Sequence, residues 1–307
     1  MNARRATMKK RQRFDGTMIN VPSFSRMMLF IMPRKNDALV FFEQEIDVTD
    51  TLEYIHEVNR ELIQKREVLT LFELILCAGV RTLVLRPRIN RFVSDYRFYQ
   101  RNRIEFSFVA KKEISDDGEE VTVKIPFSPY ETLETVAIKA KHYIRTATSS
   151  DGVTTEKIVD FIDRLPNWAI KIVARGIDWL DAKKIYLGEL IETDPMWCSV
   201  FFTNVGSFGL DAPFHHLYER GNCPLFVSVG KTRLVSVLGA DGTVLQRKKI
   251  TIKITCDERI SEGVYMAKGL EIMKKLIEDP KALSQPPELN EAALSALALD
   301  PGTYLEN

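Results

Sequence analysis

From Ile250 to Thr255 the chain alternates isoleucines at 250, 252 and 254 with Thr251, Lys253 and Thr255. A period of two sets the isoleucines on one face of a strand and the polar residues on the other, so a core must cover one side of a sheet here. Beyond TCDERISEG the period changes. Met266, Leu270, Met273 and Ile277 share one side of a helix, which Pro280 ends. The same two periods recur upstream. ALVFFEQEIDV, from Ala38, has the apolar and β-branched content of a strand, and Asp50 with Glu53 signals a helix start, with Leu52, Ile55, Val58 and Leu62 on its inner face. Thr70 and Glu73 form a capping box before an apolar helix stopped by Pro87. IEFSFVAKK and VTVKIPF flank SDDGE, where Asp117-Gly118 predicts a hairpin, and Leu133, Val136, Ala137, Ala140, Tyr143 and Ile144 then fall at helical spacing. Strands and helices in this mixed order, without an internal repeat, predict one layered α/β domain.

The bulk numbers weigh against several function classes. Lys plus Arg (43) nearly cancels Asp plus Glu (42), so no global field draws the chain onto nucleic acid or an anionic bilayer, and no nucleic-acid motif accompanies the basic residues. Cys77, Cys198, Cys223 and Cys256 are widely spaced without a CxxC pair, which predicts buried thiols in a reducing, cytoplasmic setting and no metal site. No apolar run approaches the roughly 20 residues of a membrane span. Residues 1–13 read as a basic, solvated, flexible leader, 14–283 as the main folded domain, and 284–307 as a peripheral tail. Gly239-Ala-Asp241-Gly242 lies between two β-prone runs and reads as a hairpin turn, not a phosphate loop.

Two segments carry a resemblance. FFTNVGSFGLDAP, Phe201 to Pro213, is similar to the FTISNxGxFGxD strand and turn of the acyltransferase component of 2-oxo acid dehydrogenase complexes, the dihydrolipoyl acyltransferase catalytic domain of the chloramphenicol acetyltransferase-like superfamily. Thr203 stands at the serine position, Asn204 and Gly206 match, and Phe208, Gly209 and Asp211 complete the pattern. ITCDERISEGVYMAKGLEIMKKLIEDP, Ile254 to Pro280, resembles the closing LSCDHRxxDG segment and its helix, with Cys256, Asp257, Arg259 and Gly263 matching. CPLFVSVGK and the Ile-rich strand follow the family's order, and PRINRF resembles its PELN turn. The resemblance implies a two-layer domain, a mixed β-sheet packed with helices, that forms a homotrimer with active sites in channels between subunits. It implies coenzyme A as acyl donor or acceptor, bound near Asn204, Gly206 and Ser207. A lipoyl domain does not fit into the short leader.

In the family a histidine takes the proton of the attacking thiol or hydroxyl, which adds to the thioester carbonyl, while a serine or threonine hydroxyl stabilises the resulting oxyanion. Imidazole suits the first task because its pKa lies near working pH, and a fixed donor suits the second. Thr203 takes the donor position. The histidine position falls on Glu258 and the motif aspartate on Glu262, so HxxxDG has become ExxxEG. A carboxylate of pKa about 4.3 poorly matches a thiol of about 8.5, although burial in a channel raises such a pKa by several units. Arg259, alternatively, holds Glu258 ionised and inert. Glu262 preserves the motif's charge, and Arg26 is one partner for it. His215 and His216, in HHLYERGNCP, offer a relocated base, whereas His56 and His142 fall on helix surfaces. Three readings stay open: a base at His215 or His216, a base at Glu258, or a catalytically silent trimeric scaffold or binding protein.

A second departure is the apolar stretch from about 155 to 192, where the family has a shorter connection. Trp168, Ile172, Ile177, Trp179 and Leu180 require cover. Extra helices docked on the domain, a lid over the acyl channel, and a face for a protein or membrane-surface partner are the alternatives, while Lys171, Arg175 and Asp178 exclude a bilayer span.

Overall fold

The computed structural model describes residues 12–62, 68–112, 118, 120–149, 165–185 and 188–303. The Ile-rich run lies at the centre of strand β10 (Val244–Asp257), the longest of a seven-stranded mixed sheet. Its other strands are β2 (Leu39–Asp47), β5 (Ile104–Lys111), β6 (Glu120–Phe127), β7 (Val200–Asn204), β8 (Leu225–Val229) and β9 (Arg233–Leu238). The order is β2-β10-β8-β7-β5-β6, with β9 paired to the outer half of β10. β7 runs parallel to both β5 and β8; the remaining pairs are antiparallel. The hairpin expected between β5 and β6 pairs as predicted, although its turn lies largely outside the described residues.

Ile250, Ile252 and Ile254 are all buried on one sheet face, as their alternation requires. Four helices cover that face: α2 (Thr49–Leu62), α3 (Leu71–Leu85), α4 (Leu133–Ser149) and, late in the chain, Gly263–Glu278. α3 is buried from Glu73 to Val84, which accounts for its apolar content on every side. Its capping box is complete: Glu73 N–H donates to Thr70 Oγ1 (3.3 Å) and Thr70 N–H to the Glu73 carboxylate (2.8 Å). α2 begins one residue before the expected Asp50, because Asp47 accepts from Thr49 N–H (3.0 Å).

A small antiparallel sheet, β1 (Gly16–Met18), β4 (Arg97–Arg101) and β3 (Arg91–Ser94), flanks the main one, with helix α1 (Ser23–Ile31) near it. Two expectations, on the leader and on the tail, need correction, whereas the helices expected in the insertion are present. Arg13 is buried, paired to Asp15 (2.8 Å) and Asp181 (2.7 Å), so folded structure begins within the stretch read as leader. The stretch 155–192 forms one long helix, α5 (Asn167–Ala182), and a single turn, α6 (Glu189–Glu192), among its described residues. The tail is docked rather than peripheral: with Gly263–Glu278 as α7, helix α8 (Glu291–Leu297) buries Leu297 in the main core, and Arg81 donates to Gln285 O (2.7 Å).

Candidate active site

The sheet face away from the four helices carries the candidate residues. On it Thr203 of β7 lies opposite Ser228 of β8, which lies opposite Lys253 of β10, opposite Glu43 of β2. This is a polar row across four strands. Thr203 is half-buried, and the hydroxyl of Ser228 is buried without a hydrogen-bond partner among the described residues. Beside the row Lys253 Nζ sits 4.6 Å from the Phe214 ring centroid, and Phe214 meets Phe41 edge-on.

β7 leaves the sheet at Asn204 through a tight turn, Val205–Phe208, closed by Gly209 at φ +76°. Leu210 N–H returns to Val205 O (3.2 Å), and Lys231 N–H donates to Leu210 O (2.9 Å). A Cβ on Gly206 would stand 2.5 Å from Gly230 O, so only glycine lets this turn press on the end of β8. Ser207 Oγ donates to Asn204 O (2.7 Å), and Asp211 pairs with Arg233 and Lys231 (3.8 Å). Asn204, Gly206 and Ser207 are thus held in one rigid turn directly after Thr203.

His215 stacks on Phe226 with centroids 3.9 Å apart; Phe226 stacks on Phe201, and Tyr218 and His216 close the cluster. Phe201 and Thr203 are two residues apart on one strand and therefore share a face with His215. His215 Nδ1 lies 2.7 Å from His216 O. A carbonyl has no proton to give, so Nδ1 carries the hydrogen and Nε2 keeps its lone pair. Burial pushes the His215 pKa below its ordinary value, which keeps the ring neutral at neutral pH. His216 is exposed, as are His56 and His142.

The other motif segment is organised around its neighbours rather than around Glu258. Asp257 and Arg259 form a bidentate pair (2.7 and 2.8 Å) with both side chains 2% exposed, and Arg259 also donates to Met32 O and Pro33 O (2.9 and 3.1 Å). Arg259 therefore does not hold Glu258, contrary to the expectation from adjacency. Glu258 projects into solvent, so within one protomer it lacks the burial that a base role needs. Glu262 is the exposed N-cap residue of α7, and it makes no ion pair with Arg26 among the described residues.

Strand register separates the two motifs. Thr203 is level with Ser228, whereas Asp257 N–H bonds Pro224 O, placing Glu258 about five residues further along, roughly 16 Å at strand rise. One protomer brings Thr203 and His215 to the same face but leaves Glu258 and Glu262 at the other end of the sheet. Two members of the site escaped sequence reasoning: the orphaned Ser228 and the Lys253 cation. Lys253 had a signal, since it alternates with the buried isoleucines.

Residues 191–284 match the sequence profile of the 2-oxoacid dehydrogenases acyltransferase (catalytic domain). The fold matches a probable dihydrolipoamide acetyltransferase from Listeria monocytogenes over 86% of this chain and 97% of that one, at 14% identity and TM-score 0.55. It also matches dihydrolipoamide acetyltransferase from Azotobacter vinelandii (87% and 94% covered, 15% identity, TM-score 0.57). The chain resembles the 2-oxoacid dehydrogenase acyltransferase catalytic domain in sequence and in fold. A third match is the cubic core of a pyruvate dehydrogenase multienzyme complex (87% and 94% covered, 13% identity, TM-score 0.51). No curated protein sequence matches the chain. The acyltransferase-type segment, 191–284, contains both motifs and the whole of β10, so the likeness in sequence coincides with three of the four strands that carry the polar row.

Proposed function

We propose that this chain is an acyltransferase that moves an acyl group between coenzyme A, or another pantetheine- or lipoyl-type thiol, and an acceptor thiol or hydroxyl. The observation that carries the reading is His215: its Nδ1–H is pinned to His216 O, its pKa is lowered by burial, and its ring lies on the sheet face that carries Thr203. In the proposed step Nε2 takes the acceptor's proton as its sulfur or oxygen adds to the thioester carbonyl. The Thr203 hydroxyl donates to the oxyanion so formed. When the intermediate collapses, the C–S bond breaks and the imidazolium returns the proton to the departing thiolate. The turn of Asn204, Gly206 and Ser207 borders the pantetheine path, and the orphaned Ser228 hydroxyl awaits a polar partner from the substrate, while Lys253 beside it is paired with Glu43 (3.4 Å).

Glu258 and Glu262, at the far end of the sheet, join this site only from a second copy. The offset of roughly 16 Å along the strands between the levels of Thr203 and Glu258 supports a homotrimer with sites between protomers. The cubic core among the matched structures also supports assembly. The Azotobacter enzyme uses a serine, a histidine and an asparagine in catalysis. Thr203, Glu258 and Glu262 would stand in their places here, with His215 taking over the histidine's proton. Four buried free cysteines fit a reducing cytoplasm. The second reading, a catalytically silent scaffold keeping the fold, is favoured by the exposed carboxylate at the histidine position. Acyl-CoA donors offered with thiol and hydroxyl acceptors separate the two. Thiol release that falls at least about a hundredfold in Thr203→Val and His215→Asn supports the enzyme. Absence of both turnover and CoA binding leaves the scaffold.

A further inference from the structure

We propose that the outward stripe of α5 docks the protein on an anionic phospholipid surface. At about 100° per residue, Trp168, Ile172 and Trp179 fall within roughly 40° of one another around the helix. They are 68%, 62% and 58% exposed. Gly176 lies on the same side, and a Cβ there would meet nothing within 4 Å. The stripe is not a core face that has failed to find its cover, because the opposite side of α5 is already engaged. Ile177 is buried with Ile191 and Trp197, and Asp181 accepts from Arg13 (2.7 Å) and from the Trp197 indole (3.2 Å). These bonds hold the two tryptophans outward.

Charge decides the occupant. Lys171 and Arg175 edge the stripe on one side and Lys183, 6.0 Å from the Trp179 ring, on the other; all three are exposed without an ion pair among the described residues. Asp178, the exposed carboxylate of the helix, is turned about 100° from the stripe's centre. In a chain of net charge +1, three exposed cations thus flank this one helix face. Tryptophan rings suit the headgroup boundary and lysine and arginine suit lipid phosphates. A second copy docked through the same stripe would set these cations against each other. The docking is peripheral, since no described helix is long and apolar enough to cross a membrane.

The test uses the full-length protein with vesicles of phosphatidylcholine alone or mixed with phosphatidylserine, read by flotation and by tryptophan emission. Of the three tryptophans Trp197 is already buried, so a blue shift on binding reports Trp168 and Trp179. We expect binding to the phosphatidylserine vesicles at least about tenfold tighter than to phosphatidylcholine. Lys171→Gln/Arg175→Gln/Lys183→Gln should weaken it about a hundredfold, at roughly fivefold per cation. Trp168→Ala/Trp179→Ala should abolish the blue shift and most of the binding with an unchanged melting temperature. No binding at low salt, equal binding to both vesicles, or full binding by the tryptophan variant would overturn the proposal. So would a drop in oligomer mass in that variant, which would show that a second copy covers the stripe.

Discussion

Replacing Arg259 with Met tests how the turn that bears Glu258 is held. The substitution keeps side-chain bulk but leaves the Asp257 carboxylate, 2% exposed, without its counterion, and it releases the Met32 and Pro33 carbonyls that tie α1 to this turn. Breaking one half of a buried pair typically costs about 3–5 kcal/mol, because the remaining charge is uncompensated. At roughly 2–3 °C per kcal/mol for a domain of this size, the melting temperature should fall on the order of 10 °C. The double variant Asp257→Leu/Arg259→Met removes that stranded charge. It should recover about 2 kcal/mol of the loss, short of wild type because the two carbonyls still lack their donor. Urea unfolding of wild type, Asp257→Leu, Arg259→Met and the double variant at one fixed concentration closes the double-mutant cycle. If the double variant is no more stable than Arg259→Met, the pair does not work as a compensated buried unit and the reasoning fails.

Three further outcomes follow from particular contacts. Gly206→Ala places a Cβ 2.5 Å from Gly230 O; overpacking of this kind costs about 1–3 kcal/mol and should displace the turn after Thr203, lowering turnover more than stability, as paired kinetic and unfolding measurements would show. Lys35 is buried against the Arg220 and Gly221 carbonyls, and burial lowers its pKa below 10.5. The unfolded chain then binds more protons in that window, so wild type should gain stability relative to Lys35→Met as pH rises toward 10.5, checked by unfolding at several pH values. Burial pushes the Cys77 and Cys256 thiols up to about 12, so neither should react with a thiol-labelling disulfide reagent near neutral pH until the protein unfolds; fast labelling of the native protein would contradict their placement.

What was legible in the sequence is what local chemistry determines. The Thr70–Glu73 box lies within four residues, and the Ile250–Ile254 alternation needs only the strand period, so both appear in the structure as read. The acyltransferase motifs were legible for the same reason: NVGSFG and TCDERISEG are each one short continuous segment. Contacts between distant parts of the chain were not. Arg13 reads as one more cation of a basic leader, because its partner Asp181 lies 168 residues away. Glu258 and Arg259 invite pairing by adjacency, yet Arg259 turns to Asp257 on the buried side. The distance between Thr203 and Glu258 depends on the registers of β7, β8 and β10, which no periodicity encodes. His215 was visible as a candidate, but its stacking on Phe226 and the hydrogen bond that fixes its tautomer arise only once the sheet is formed.

The central claim is that His215 acts as base beside Thr203. Its most direct test is the pH profile of thiol release from acyl-CoA, measured for wild type, His215→Asn and Glu258→Ala between about pH 5 and pH 9. Because burial lowers the His215 pKa, wild type should hold full activity at neutral pH and lose it only as pH falls below the ordinary histidine value. His215→Asn should lose both the activity and that acid limb, while Glu258→Ala should keep the limb. An unchanged profile in His215→Asn, or its disappearance in Glu258→Ala instead, would contradict the account.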